Sequence, residues 1–275
     1  MSQFRFDPTK TLFVGVEREC FVTDFDGNIV PRSFEILSHL NKHSRFGYEL
    51  SACQIEERTD PVKVDQIRNE LLRNQSILSQ AEAELGFKRL HVEVGPEDMP
   101  LDVYPDPSGR YQVISASMSR EVLLSACRII GTHIHVGMPD RDSALRVYNS
   151  VVSNCQELSE LGDYSSGQRL EIYRQVAPDC DPAPYQTWYD FHSAAVKKGF
   201  DKDPRKCWSL IRISKHGTIE FRMFGSTPSL ELVETWAKKC HKLCAGALLY
   251  YNGGGFTSSS IFYKFKQYYD KKLNN

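Results

Sequence analysis

"FVGVERECFV", residues 13–22, decides the fold, because its alternation lays out a strand with two chemically different faces. Side chains alternate along a strand, so Gly15, Glu17, Glu19 and Phe21 share one face, and Val14, Val16, Arg18, Cys20 and Val22 the other. Two carboxylates opposite a mainly apolar face do not fill a core, although taken alone they also suit a solvated sheet surface. The plan recurs twice. "GTHIHVGMP" (131–139) sets His133 and His135 against Thr132, Ile134 and Val136, a pair that fits either hydrogen-bonded packing or one wall of a metal site. "SLIRISKHGTIEFRMF" (209–224) reads as a hairpin turning at Ser214–Gly217, its second strand setting Glu220 and Arg222 against Ile219, Phe221 and Met223. If the three polar faces converge, carboxylates, imidazoles and a guanidinium gather over one sheet. His133 is a ligand if they do, and packing if they do not.

Working outward, alternating patterns predict strands at about 11–23, 46–58, 88–95, 131–137, 207–214 and 217–224. Helical periodicity predicts a helix over 61–85, started by Pro61 and striped by Ile67, Leu71, Leu78 and Leu85, with others over 140–161 and 228–251. The order lacks the regular strand–helix alternation of a doubly wound sheet. It implies one α+β catalytic domain over 1–275, a largely antiparallel sheet with helices packed on one face. No internal repeat is visible, and "NGGGFTSSS" (252–260) reads as a flexible loop before a polar tail, since nothing flanking it makes a phosphate-binding loop.

Composition narrows the function. The 275 residues are 41% hydrophobic and 25% charged, enough for one substantial core. Thirty-four basic against 35 acidic residues leave a net charge of -1, which argues against nucleic acid as the main partner. The eight cysteines form no Cys-x-x-Cys pair and read as reduced, mostly buried thiols; Cys240, His241 and Cys244 offer at most two ligands on one helical face. The opening "MSQFRFDPTK" lacks the apolar core of a signal peptide and no run is long enough to span a bilayer, so a cytoplasmic protein with no membrane partner is expected.

Acid-rich strands with an imidazole suit magnesium or manganese shared with nucleotide phosphates. Arginine supplies a fixed fork of donors for phosphate or carboxylate oxygens. Clustered carboxylates also require a cation nearby, or some of them take up protons.

In order, "GVERECFVTD", "ELSACQIEERTDP", "GTHIHVGMPD" and "RISKHGTIEFRMF" resemble the successive motifs of the type 2 glutamate-cysteine ligase or carboxylate-amine ligase family, over roughly residues 11–235. The resemblance implies a curved antiparallel sheet of glutamine synthetase-like fold, ATP and Mg2+ or Mn2+ as cofactors, and small-molecule carboxylate and amine substrates. ATP would phosphorylate the carboxylate, perhaps that of the glutamate side chain, and an amine, cysteine among the candidates, would attack the acyl phosphate. By the same resemblance Glu17, His133 and Glu220 would hold the metal between ATP and substrate. Glu19 and Glu56, with Glu49, would hold a second. Glu49 precedes Glu56 by seven residues, and that odd spacing needs a bulge or turn. His135 would touch phosphate or orient the sheet, Arg222 would neutralise the transferred phosphoryl group, and Arg212 would bind phosphate or the substrate carboxylate. Arg169, or failing it Arg174, would be the substrate-side arginine, an exposed surface arginine being the competing reading for each.

Departures are Arg18, where relatives often have a third acid, Gly225, where an aspartate is frequent, and a chain shorter than most relatives in the regions expected to shape the amine pocket and cover the nucleotide. Glu57 lies on the opposite face from Glu56 and reads as a solvated charge. A metal-dependent phosphotransferase and a catalytically silent binding protein are the alternative functions, and a homo-oligomer closing a sheet edge is compatible with the fold.

Overall fold

A computed structural model describes residues 3–41 and 43–252, the last two by their backbone. The alternating stretch becomes β1 (Val14–Thr23), which pairs with β3 on one side and β5 on the other in a seven-stranded sheet. The others are β2 (Phe46–Tyr48), β3 (Gln54–Arg58), β4 (Lys88–Leu90), β5 (Gly131–Gly137), β6 (Ile211–Ile213) and β7 (Thr218–Gly225). They run in the order β2-β3-β1-β5-β7-β6, with β4 beside the end of β1, and every pairing is antiparallel. The class is α+β with an open antiparallel sheet.

Nine helices connect the strands among the described residues: α1 (Ser33–His39), α2 (Ile67–Leu85), α3 (Arg110–Ala116), α4 (Arg120–Arg128), α5 (Arg141–Val151), α6 (Cys155–Gly162), α7 (Gln168–Val176), α8 (Trp188–Lys198) and α9 (Leu230–Asn252). Val14, Val16, Ile134, Val136, Ile219 and Phe221 form the sheet's apolar face and pack with Ile67 and Leu71 of α2, Val147 of α5 and Trp236 of α9. Cys20, Val22 and Ile55 continue it against α1 and the far end of α2. Each such side chain, taken fully out of water, contributes roughly 1.5–3 kcal/mol, so this face fixes which side of every strand is left for the polar set.

Several predicted boundaries move for local reasons. Pro61 does not start α2, because Val62 exchanges main-chain hydrogen bonds with Val14 (2.7 and 3.0 Å) and holds the segment extended. Gly86, at φ 69°, ends α2 in the left-handed conformation that glycine adopts without strain. The 46–58 strand is two strands with a turn between them, 88–95 shortens to Lys88–Leu90, 207–214 to Ile211–Ile213, and the 140–161 helix breaks at Val152–Asn154. Helices α1, α3, α4, α7 and α8 were not predicted, and α3, α4 and α7 border the polar side of the sheet, so the helices do not all lie on one face. The glycine-rich segment lies outside the described residues from 253 onward.

Glu57 corrects the sequence reading most sharply. It does face away from Glu56, but it is buried and paired with buried Arg18, whose Nη1 also donates to the Thr227 carbonyl (3.2 Å). Glu57→Ala would leave Arg18 as an uncompensated buried cation, and is expected to cost about 3 kcal/mol of stability in urea denaturation. A loss below about 1 kcal/mol, the range of an exposed pair, would contradict this.

Candidate active site

The polar face floors a cleft of about 540 Å3. Strand register decides what meets there: Glu19 lies opposite Glu56, Glu17 opposite His133, and Glu220 opposite both His135 and Arg212. The turn between β2 and β3 resolves the odd spacing of Glu49 and Glu56. It brings Glu49 back over the sheet, where Glu19, Glu49 and Glu56 each place an oxygen within 4.8 Å of the others. Two further sets lie equally close, Glu17 with Glu56 and His133, and Glu17 with His135 and Glu220. The family resemblance groups Glu17, His133 and Glu220; the register instead sets Glu220 one step further along, beside His135.

Hard carboxylate oxygens with an imidazole nitrogen fit magnesium or manganese. His135 fits best of all: its Nδ1 meets Thr218 Oγ1 at 2.8 Å, which orients the ring, while its buried Nε2 has no hydrogen-bond partner. That nitrogen lies 3.5 Å from Glu17 Oε2 and 4.0 Å from Glu220 Oε2.

The electrostatics divide the cluster. Burial opposes the charged form of Glu17, yet His135 and His133 hold its carboxyl well below the usual range. Against the same burial, Arg212, His135 and Arg222 hold Glu220 far down. Burial, with the Glu17 and then the Glu19 charge adding to it, pushes Glu56 up to about 7; burial, Glu56 and Glu19 push Glu49 well above its ordinary value. Burial lowers the His133 pKa, with Arg222 adding to it, whereas Glu220 and Glu17 overcome burial to raise that of His135. In the absence of a cation, protons partly fill its place.

Arg212 grips Glu220 with two bonds (2.7 and 2.8 Å), and Arg222 adds a third (2.6 Å). A β-bulge opposite His133 puts Met223 and Phe224 together in the core while Glu220 and Arg222 line the cleft. Arg169 braces that bulge, donating to the carbonyls of Ile130 (2.7 Å), Met223 (3.0 Å) and Arg222 (3.3 Å). Its guanidinium crosses Gly131, where any Cβ would collide with it. Three of its five N–H groups are therefore committed to main chain, although it also lines the cleft. Arg174 is exposed, paired with Asp181 at 3.3 Å, and is absent from the cleft lining, because its position on α7 faces solvent. At Gly225 the space for a side chain holds the Glu93 carboxylate instead, which accepts from the Tyr164 N–H (2.8 Å).

Sequence reasoning missed Arg58, Lys215 and His216. Arg58 bonds Glu56 and lies across Gly47, lining both the main cleft and an adjoining cavity of about 420 Å3. The signal for it was alternation itself, since Arg58 follows Glu56 by two. Lys215 and His216 sit in the β6–β7 turn and reach the cleft because Gly217, at φ 70°, lets the Arg5–Phe6 backbone pack directly on that turn. No pattern in the hairpin alone indicates this.

A sequence model of glutamate-cysteine ligase family 2 matches residues 13–155, which carry six of the seven carboxylate and imidazole groups just described. The chain belongs to that family. It is 26% identical over 238 residues to a Gloeobacter violaceus protein named "Putative glutamate--cysteine ligase 2", covering 79% of this chain and 63% of that one. It is 28% identical over 247 residues to "Putative glutamate--cysteine ligase 2-3" of Rhodococcus jostii, covering 82% of this chain and 30% of the other. The chain thus spans less than two thirds of the length of either relative. The crystal structure of a bifunctional glutathione synthetase from Pasteurella multocida has the same fold over 88% of this chain and 39% of its own, with a TM-score of 0.61 at 13% identity. Among the described residues no helix is long and apolar enough to cross a membrane.

Proposed function

We propose that the protein is an ATP-dependent carboxylate-amine ligase that uses a divalent cation, Mg2+ or Mn2+. The observation that carries this reading is the unpartnered Nε2 of His135, aimed between Glu17 and Glu220 within a run of three close donor sets. Glu17, Glu56 and His133 would hold one cation, with the Glu17, His135 and Glu220 set beside the phosphates and Glu19, Glu49 and Glu56 beside the substrate. When bound, the cations neutralise the phosphate oxygens and polarise the transferred group. The chain's own side chains do the positioning. Arg58, Lys215 and His216 surround one end of the cleft with cationic or protonatable groups suited to a triphosphate, and Arg222, anchored on Glu220, faces the transferred phosphoryl group. Arg212 shares that anchor and is placed for phosphate or carboxylate oxygens, while Arg169 offers its two remaining N–H groups at the other end.

The substrate carboxylate attacks the γ-phosphorus and ADP leaves. The amine nitrogen then attacks the acyl carbon, phosphate departs and the nitrogen loses a proton. Phosphorylation is needed because a free carboxylate is a poor acyl donor, and little covalent chemistry falls to the protein.

The test is ADP release with ATP and Mg2+ against pooled carboxylates and amines, products read by mass spectrometry. ADP is expected only when both pools are present, with a product lighter than their sum by one water. A stable phosphorylated product formed without amine would replace this reading with a phosphotransferase, and ATP binding with no ADP from any pool with a silent protein.

A further inference from the structure

We propose that Arg58 exchanges partners with the cation: it holds Glu56 until a divalent cation binds there, and is then turned toward the adjoining cavity to meet the nucleotide phosphates. This rests on the ligase reading above, and concerns how that same site couples its cation to its nucleotide.

Two of the three donor sets share Glu56, one with Glu17 and His133, the other with Glu19 and Glu49. Its Oε1 accepts from Arg58 Nε, and Glu17 stands directly across the strand pair from Arg58. Partial burial opposes the Arg58 charge, yet the Glu56, Glu17 and Glu49 carboxylates outweigh it and raise the guanidinium pKa. One side chain of this protein therefore already balances the carboxylates that a cation would balance, and the two compete. Even a cation on the other oxygen of Glu56 would stand beside a like charge. The divalent ion prevails, because it carries twice the charge on a compact sphere and collects oxygens from several carboxylates at once.

Arg58 is also built to leave. Its main chain is fixed, the N–H donating to the Arg45 carbonyl (2.7 Å) and the carbonyl accepting from Asn74 Nδ2 (2.9 Å), but its side chain is 42% exposed. Arg212, gripped twice by Glu220, is only 13% exposed, and Arg169 is buried on three carbonyls. The Arg58 guanidinium lies over Gly47, the residue that faces Glu56 across β2 and β3, so no side chain of the edge strand fences it in. Its destination is adjacent. The cavity of about 420 Å3 shares Glu17, Arg58, His135 and His216 with the main cleft and adds Arg5 and Lys10, a cationic surround for phosphate oxygens. Arg58 thus opposes the cation when alone and favours the nucleotide once the cation is in place, and each ligand readies the site for the other. An arginine with a purely structural role would do neither, and one that only bound phosphate would leave cation affinity unchanged.

The test reads binding. Mn2+ alone is titrated by the electron paramagnetic resonance of the free ion, and ADP is titrated by calorimetry at saturating Mn2+. Arg58→Gln should tighten Mn2+ by about threefold to fivefold, the scale of a partly exposed ion pair, and should weaken ADP by about tenfold, the scale of a charge-assisted bond to phosphate. These opposite signs are the signature of the exchange. Gly47→Ala changes no charge, but its Cβ would lie 2.7 Å from Arg58 Cζ and displaces the guanidinium from Glu56. It should tighten Mn2+ as Arg58→Gln does and leave ADP binding as it was. Lys215→Gln, which removes another cleft-lining cation, controls for net charge and should tighten Mn2+ less. If Gly47→Ala folds poorly, the comparison of Arg58→Gln with Lys215→Gln decides. Mn2+ affinity that is unchanged or weaker in Arg58→Gln, or no tighter than in Lys215→Gln, overturns the exchange and leaves the cation site standing. Tighter Mn2+ with ADP binding unchanged overturns the turn toward phosphate. No Mn2+ binding by the unaltered protein or any variant overturns the ligase reading, and this inference with it.

Discussion

Glu220→Gln is expected to lower metal-dependent ADP formation by roughly a hundredfold to a thousandfold, the scale on which removal of a well-placed charged or hydrogen-bonding group lowers a rate. Glu220 is fully buried and makes three bonds to two arginines, so it acts twice. Its charge completes the donor set with Glu17 and His135, and it fixes Arg212 and Arg222 at the floor of the cleft. Glutamine keeps the shape and one acceptor oxygen but removes the charge. Alanine is the poorer test, because it leaves two guanidinium groups without their shared anion and confounds activity with folding. Steady-state ADP release, with urea denaturation as the control for fold, reads the effect. Full activity with unchanged metal dependence would remove Glu220 from the site.

What the sequence disclosed and what it hid follow from the range of the interactions involved. The period-two alternation in 13–22, 131–137 and 218–224 is local, and a strand with one apolar face must bury it; hence the side on which Glu17, Glu19, His133, His135, Glu220 and Arg222 lie was legible before any contact was known. Which of them meet is a matter of register between strands more than eighty residues apart, and that register sets Glu220 opposite His135, where the resemblance groups it with His133. The roles of Arg169 and Glu57 were hidden for a related reason. An arginine that braces a bulge, or a glutamate that neutralises a buried Arg18, looks in sequence like any other surface charge. Helices α3, α4 and α7 span only 7, 9 and 9 residues, too short for a periodic stripe to stand out from the sequence around them.

The second large effect is the loss, as pH rises from 5 to 8, of the stability that the protonated carboxylates of the cleft lend the metal-free protein. Glu56 titrates near 7 in the fold against 4.5 in the open chain, so the folded state holds its proton more tightly. Its contribution is fully present below 4.5 and is lost as pH climbs through about 7, a change of about 3 kcal/mol for a side chain this buried. Glu49, raised for the same reasons, adds to the loss. Glu17 and Glu220 are shifted the other way, so their contribution is present above 4.5 and lost only in stronger acid; across pH 5 to 8 they are level. His135 is raised and loses stability with rising pH, while His133 is lowered and gains it, and the two partly offset each other. Burial also lowers His91 to about 3 and lowers His216 and His241, groups that gain stability with rising pH, so the crowding is read as a difference: in EDTA the unfolding midpoint of Glu56→Gln should rise relative to that of the unaltered protein between pH 5 and 8. Added Mg2+ should raise the midpoint at pH 8 far more than at pH 5, because at pH 5 it must first displace the protons that stand in for it. A difference between Glu56→Gln and the unaltered protein that stays level from pH 5 to 8 in EDTA would mean that these carboxylates are not crowded as the register of β1 and β3 requires.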